Sequence, residues 1–203
     1  MSKSEDKITK QVKEMYLKYP YPSPSREISQ TNELVNLLKI FEIENKEKIS
    51  KLKILDAGSG SGHRIINVAK YFKNCNFTGI DISKKSLLIA NELKNKERIE
   101  NIHFIQKNIL DDNTEIGKFD SVLCMGVLHH LSDPNKGLQI LSKMLNKDGM
   151  IFLYLYGKLG GHQRMIKKEI INLLLKNKKN YQEGIKLVKK LEFDNFEYGW
   201  NIE

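Results

Sequence analysis

The sequence predicts an α/β protein built on a doubly wound parallel sheet. Three observations lead there. Between residues 51 and 157, short apolar runs alternate with helical patterns. Strands joined by helical crossovers must run parallel, with helices covering both faces, and right-handed crossovers wind such a sheet in two directions. The first run, "LKILDA", leads directly into the glycine-rich loop "GSGSG", at the place where such sheets bring backbone close to a ligand. With 203 residues the chain is long enough for one domain with a core of its own.

In chain order, a first region runs to about residue 50. It holds a charged amphipathic helix over 6–19, the break "YPYPSPS", a second helix over 31–44 and a linker over 46–51. Pro20, Pro22 and Pro24 impose extended backbone on the break. The second region, 51–157, carries five strands within "LKILDA", "NFTGIDI", "IHFIQKNI", "FDSVLCM" and "GMIFLYLY". Helices are predicted near 64–71, 83–96 and 135–145. Ser83 suits a helix cap, and "SDP" sets Pro134 near a first turn. The third region, 158–203, reads as helices over 163–176 and 181–191 and an irregular tail.

Composition excludes several classes. The N-terminal stretch "MSKSEDKITKQVKE" has no apolar h-region, which argues against a signal peptide. "MIFLYLY", the longest apolar run, is too short to span a bilayer. Two cysteines, Cys75 and Cys124, without a CxxC or a Cys/His metal spacing, argue against a disulfide scaffold or a metal site and fit a reducing cytoplasm. The net charge of +9 is uneven: residues 158–190 carry ten basic and two acidic side chains, +8. Such a segment could meet RNA, but the aromatic interleaving of a strand-binding surface is missing, so a solvated lysine-rich face is the preferred reading.

The loop itself discriminates among ligands. Counting from Gly58, both the nucleotide-phosphate motif and the dinucleotide fingerprint require a glycine where His63 stands. What remains is "DAGSGSG", with an acid at the strand end and no lysine or arginine inside the loop. That pattern favours a ligand without a pyrophosphate but with a cationic or hydroxyl-bearing part; close packing of helix on strand is the competing explanation. Asp81 ends the second strand in "GIDIS", nineteen residues after Gly62. A carboxylate there can accept from both hydroxyls of a ribose; as a helix-start acid it would have no ligand role.

Over residues 51–157 the sequence resembles the class I S-adenosylmethionine-dependent methyltransferases, whose fold is Rossmann-like. The resemblance rests on "LDAGSGSG", "GIDIS", "FIQKNILD", "FDSVLCMGVLHHLSDP" and "LNKDGMIFLYLY", in family order and at family spacing. It implies S-adenosyl-L-methionine as cofactor and a methyl acceptor as partner. Gly58, Ser59, Gly60 and Gly62 would let backbone approach the cofactor, and Asp56 would help hold its amino group. Asp81 would bind the ribose, with Ile82 beside the adenine. Asn108 stands where many members carry an aspartate toward the adenine amine, with Ile109 next to it. Cys124 and Met125 would border the transferring methyl group.

Methyl transfer from a sulfonium needs alignment and a water-poor site, and a base only if the acceptor must lose a proton. His129 and His130, just beyond the fourth strand, are candidates for that base; packing of the next helix is their alternative role. Tyr16, Tyr19 and Tyr21 flank the prolines, where many family members carry a lid over the cofactor, and Tyr21 is the third catalytic candidate. Cys124 has no basic neighbour in sequence and reads as a small strand-end residue. Family sheets commonly end in an antiparallel hairpin that this sequence does not supply after the fifth strand. The fifth strand would then be an apolar edge over 150–156, expected to be covered by the late helices, a second copy or a complementing chain. The same gap keeps a second reading open, a truncated cofactor-binding or partner-binding protein without catalysis.

Overall fold

A computed structural model describes residues 6–18, 27–45, 51–157, 161–176 and 180–193. Tyr19, Tyr21 and the proline break lie outside the described residues. The chain divides into two compact units, Met1–Leu155 and Tyr156–Glu203.

The first unit is built on five strands: β1 Lys53–Ala57, β2 Asn76–Asp81, β3 Ile102–Gln106, β4 Phe119–Met125 and β5 Leu145–Tyr154. All pairings are parallel and the order is β3-β2-β1-β4-β5. The direction of winding reverses between β1 and β4, and the crevice of a doubly wound sheet opens there, beyond the carboxyl ends of the strands. Five helices belong to this unit: α1 Lys7–Lys18, α2 Glu27–Asn45, α3 His63–Tyr71, α4 Lys84–Lys96 and α5 Pro134–Lys143.

Strand periodicity sends alternate residues to opposite faces. Ile54, Phe77 and Leu123 join Leu34, Leu38, Ile65 and Ile66 from α2 and α3 in one core cluster. Leu55, Ile80, Val122 and Cys124 join Leu128 and Leu141 in the other. Leu34 and Leu38 are fully buried, so each stabilises the fold by roughly 1.5–3 kcal/mol. The second N-terminal helix is therefore part of the core. It begins at Glu27, four residues ahead of its expected start, because "EISQ" carries one apolar residue for a periodicity to register. Ser83 caps α4 through Ser86 N–H, and Asp133 caps α5 with Pro134 in the first turn.

Strand β5 starts at Leu145, earlier than the expected Gly149. Its register with β4 slips between Phe119 and Ser121, and Asp148 takes a left-handed φ of 65°. A bulge of this kind breaks the alternation that a sequence pattern relies on. Along the edge, Phe152 is buried while Leu153, Tyr154 and Leu155 are exposed.

The second unit contains α6 His162–Leu174 and α7 Tyr181–Lys190, packed on each other. Asn180 caps α7. Lys167 donates to the carbonyl of Phe193 at 3.3 Å and lies 5.3 Å from its ring centroid. No helix among the described residues is long and apolar enough to cross a membrane.

Candidate functional site

The loop after β1 folds back onto β2. The N–H groups of Gly58 and Ser59 both donate to the Ile80 carbonyl, at 2.8 and 2.9 Å. Gly58, Gly60 and Gly62 all take positive φ, at 84°, 56° and 75°, a region that L side chains enter at a cost. Two of these glycines answer to the protein's own packing. A Cβ on Gly58 would collide with Val127, and one on Gly62 would lie 2.7 Å from Ala90 Cβ and 2.9 Å from Phe104 Cζ. Close packing against Val127, Ala90 and Phe104 therefore accounts for the bare backbone at Gly58 and Gly62.

Register sets the heights of the strand ends. Ala57 pairs with Ile80 and Asp56 with Leu123, so Asp81, Gly58 and Met125 stand at one level at the mouth of the crevice. Asp81 is tied to the loop: its Oδ2 accepts from Gly60 N–H at 2.9 Å and its Oδ1 from Ser83 N–H at 2.8 Å. Burial pushes this carboxyl above its ordinary value, against the opposing pull of the backbone N–H groups of Ser83, Gly60 and Ile82. Each oxygen keeps a further lone pair for an incoming hydroxyl.

Asp56 lies deeper. It is fully buried, and its Oδ1 meets Arg64 Nη2 at 3.4 Å. Burial raises its carboxyl and Arg64 opposes the rise. Its Oδ2, the Ser59 hydroxyl and Arg64 Nε have no hydrogen-bond partner among the described residues. Buried polar atoms are usually satisfied, so such a cluster beside a glycine loop needs a reason. Arg64 is absent from the sequence-level candidates, because it lies outside the loop. The signal was its place in the first turn of the following helix, eight residues after Asp56. His63 precedes it, with Nδ1 2.9 Å from Ser61 Oγ, and burial lowers its imidazole below the usual range.

The adenine-side candidates are held mostly by local bonds. Gln106 Nε2 donates to the Ile82 carbonyl at 3.2 Å. Asn108 Oδ1 accepts from Leu110 N–H at 3.0 Å in a local turn. Ile109 is buried in the second core cluster. On the β4 side, Cys124 is fully buried in that same cluster, and burial pushes its thiol up to about 12, which suits packing and not nucleophilic chemistry. Met125 faces the other way, toward the α2 and α3 side. Gly126 N–H donates to the Tyr154 carbonyl at 2.9 Å, tying the ends of β4 and β5. His129 and His130 share a 3-10 turn, with ring centroids 4.1 Å apart.

Helix α1 closes the group. It packs against α4, which follows β2, and its first-turn cap Asp6 accepts from Ser132 Oγ at 2.9 Å in the loop after β4. Its attachments therefore flank the end of β1. The Asp6 carboxyl, bonded by Thr9 above all, is held at about 2. Among the described residues no cluster of three or more metal-ligating side chains occurs.

Comparison with known proteins extends over the same strands. Residues 48–198 match a family described as a methyltransferase domain. An uncharacterised protein of Synechococcus sp. is 32% identical over 146 residues, spanning 71% of this chain and 35% of that protein. The ubiquinone biosynthesis O-methyltransferase of Chromobacterium violaceum is 32% identical over 119 residues, 58% of this chain and 50% of that enzyme. The structure of PKMT2 from Rickettsia typhi in complex with AdoHcy superposes with a TM-score of 0.59 at 25% identity, covering 75% of this chain and 30% of that one. The chain thus spans about a third to a half of the length of these relatives.

Proposed function

The chain belongs to the methyltransferase-domain family, and from that membership we propose that it transfers a methyl group from S-adenosylmethionine to an acceptor at the carboxyl edge of the sheet. When bound, this cofactor supplies a methyl group on a positively charged sulfur, already activated toward displacement. The contribution of the chain is then to bind, orient and exclude water.

One observation carries the reading: the Asp81 carboxylate and the glycine loop meet through Gly60, at the height of the strand ends. A ribose seated on Asp81 would lie against bare backbone. The unpartnered Asp56 Oδ2 and Arg64 Nε next to that loop fit the charged amino-acid end of the same molecule. Ile82, Asn108 and Ile109 would fall on the adenine side, and Met125 on the side of the transferred methyl. Helix α1, anchored to α4 and to Ser132, would serve as the lid that keeps water out. His129 or His130 would take a proton if the acceptor gives one up, since a neutral imidazole is the side chain suited to that at neutral pH.

Calorimetry with S-adenosylhomocysteine on the wild type and Asp81→Ala tests the binding half. Saturable binding that falls at least tenfold in the variant supports the reading, and a folded wild type that binds nothing removes it. Incubation with cofactor labelled in the methyl group, followed by mass analysis of products, tests the transfer half. Binding without any labelled product from a cell extract would favour the non-catalytic role.

A further inference from the structure

Helices α6 and α7 meet along one side of each. A Cβ added to Gly184 of α7, which is buried, would lie 3.6 Å from Leu175 Cδ1 and 3.7 Å from Ile171 Cγ2 at the end of α6. Ile166, Ile170, Leu173 and Leu174 recur at helical spacing and share a different face of α6. All four are exposed, Leu173 at 71%, and so is Met165 beside them. An aliphatic face of this kind left in water marks a contact surface. The charge around it narrows the kind of contact. Residues 158–190 carry ten basic and two acidic side chains. Lys168 and Lys176 are exposed on or just after α6, and Lys186, Lys189 and Lys190 on α7. The last three also recur at helical spacing, on a side of α7 turned away from Gly184.

We infer that α6 and α7 form a peripheral docking surface for an anionic lipid bilayer. The aliphatic face of α6 enters the boundary between headgroups and acyl chains, and the lysines meet acidic headgroups. The inference goes beyond methyl transfer and does not depend on it. At 13 residues α6 is far too short to span a bilayer, so it lies in the plane of the surface. Two other occupants match less of what is exposed. A second copy would bring one segment of +8 against another, and like charges repel. A strand of RNA would use the lysines, but bases stack on aromatic rings, and the exposed face is aliphatic. An anionic bilayer takes up the cations and the aliphatic face together.

The test is vesicle sedimentation with the full chain. One set of vesicles is phosphatidylcholine alone, and the other is equal parts phosphatidylcholine and phosphatidylglycerol. The proteins are the wild type, Ile170→Gln/Leu173→Gln and Lys186→Gln/Lys189→Gln/Lys190→Gln, each shown to be folded by chemical denaturation. Changes at exposed positions leave stability nearly unaltered, and Leu173→Gln alone serves if the double variant does not fold. The wild type binds the mixed vesicles at least tenfold more tightly than the neutral ones, and salt weakens the binding. Each lysine near an anionic surface is worth about fivefold, so the triple lysine variant loses at least tenfold on mixed vesicles. The double variant loses about tenfold or more there, because it no longer buries two aliphatic side chains. A wild type that binds neither vesicle, or both equally, overturns the inference, as does a folded variant of either kind that keeps wild-type affinity. Self-association that Ile170→Gln/Leu173→Gln disperses, without vesicle binding, overturns it in favour of a second copy. Retention of RNA through the three lysines, without vesicle binding, overturns it in favour of nucleic acid.

Discussion

The carboxylate of Asp81 accepts a hydrogen bond from the backbone N–H of Gly60 at 2.9 Å, across 21 residues of sequence. The same side chain accepts from Ser83 N–H at the start of α4. One residue therefore ties the glycine loop, the end of β2 and a helix start together. Asp81→Ala orphans two backbone donors, which costs about 1–3 kcal/mol if one stays unsatisfied. Chemical denaturation will read that loss. Calorimetry with S-adenosylhomocysteine should show a separate fall in affinity of at least tenfold.

The pH dependence of binding follows from the same group. Burial raises the Asp81 carboxyl above its ordinary 3.8. The folded state then holds the proton more tightly than the unfolded chain does. The group's contribution to stability is fully present below 3.8 and is lost as pH rises through the raised value. Ribose binding needs the ionised acceptor, so affinity moves the other way. It should begin to fall at a pH above 3.8, and by about tenfold per unit below the raised value. An affinity flat down to pH 4, measured on protein shown to be folded, would remove Asp81 from the ribose contact.

Gly58 is predicted to resist substitution for two additive reasons. Alanine there would adopt φ near 84° and meet Val127. Left-handed backbone costs roughly 1–2 kcal/mol and overpacking about 1–3 kcal/mol more. Gly58→Ala should therefore destabilise the protein by about 2–5 kcal/mol. Gly58→Ala/Val127→Ala should be less destabilised than the sum of its single changes, because truncating Val127 removes the collision and leaves the backbone strain. Strict additivity in denaturation experiments would mean that the collision is relieved some other way.

Ser132 and Asp6 join the first helix to the loop after β4. Ser132→Ala removes that link and leaves the Thr9 bonds that start α1 in place. Amides of residues 10–18 should exchange faster in the variant, with those of β1 and β4 unchanged. Asp6 has its carboxyl lowered to about 2, so its stabilising contribution is present above 3.8 and lost as pH falls through about 2. Protection of α1 that is identical in wild type and Ser132→Ala would show that the link does not hold the helix down.

Much of the site was legible in linear order. "LDAGSGSG" followed by "GIDIS" placed a bare loop and a carboxylate at successive strand ends, where β1 and β2 in fact put Gly58 and Asp81 at one height. The readable part is local: periodicity, a cap such as Ser83 and a glycine cluster are properties of neighbouring residues. The pairing of Arg64 with Asp56 was not legible, since it depends on how the first turn of α3 settles over the end of β1. The burial of Cys124 and Ile109 in the core cluster opposite Met125 depends on strand parity together with what covers each face.

By itself, the sequence determined the strand and helix alternation, the five-strand core and the two motifs that carry the family resemblance, because short-range propensity and hydrophobic period set them. Only the tertiary structure decided that Gly58 and Gly62 are demanded by Val127, Ala90 and Phe104, that α2 completes the core, and that Asp81 holds Gly60. These relationships join segments far apart in the chain, and their energies exist only once the parallel register brings the segments within van der Waals or hydrogen-bond reach.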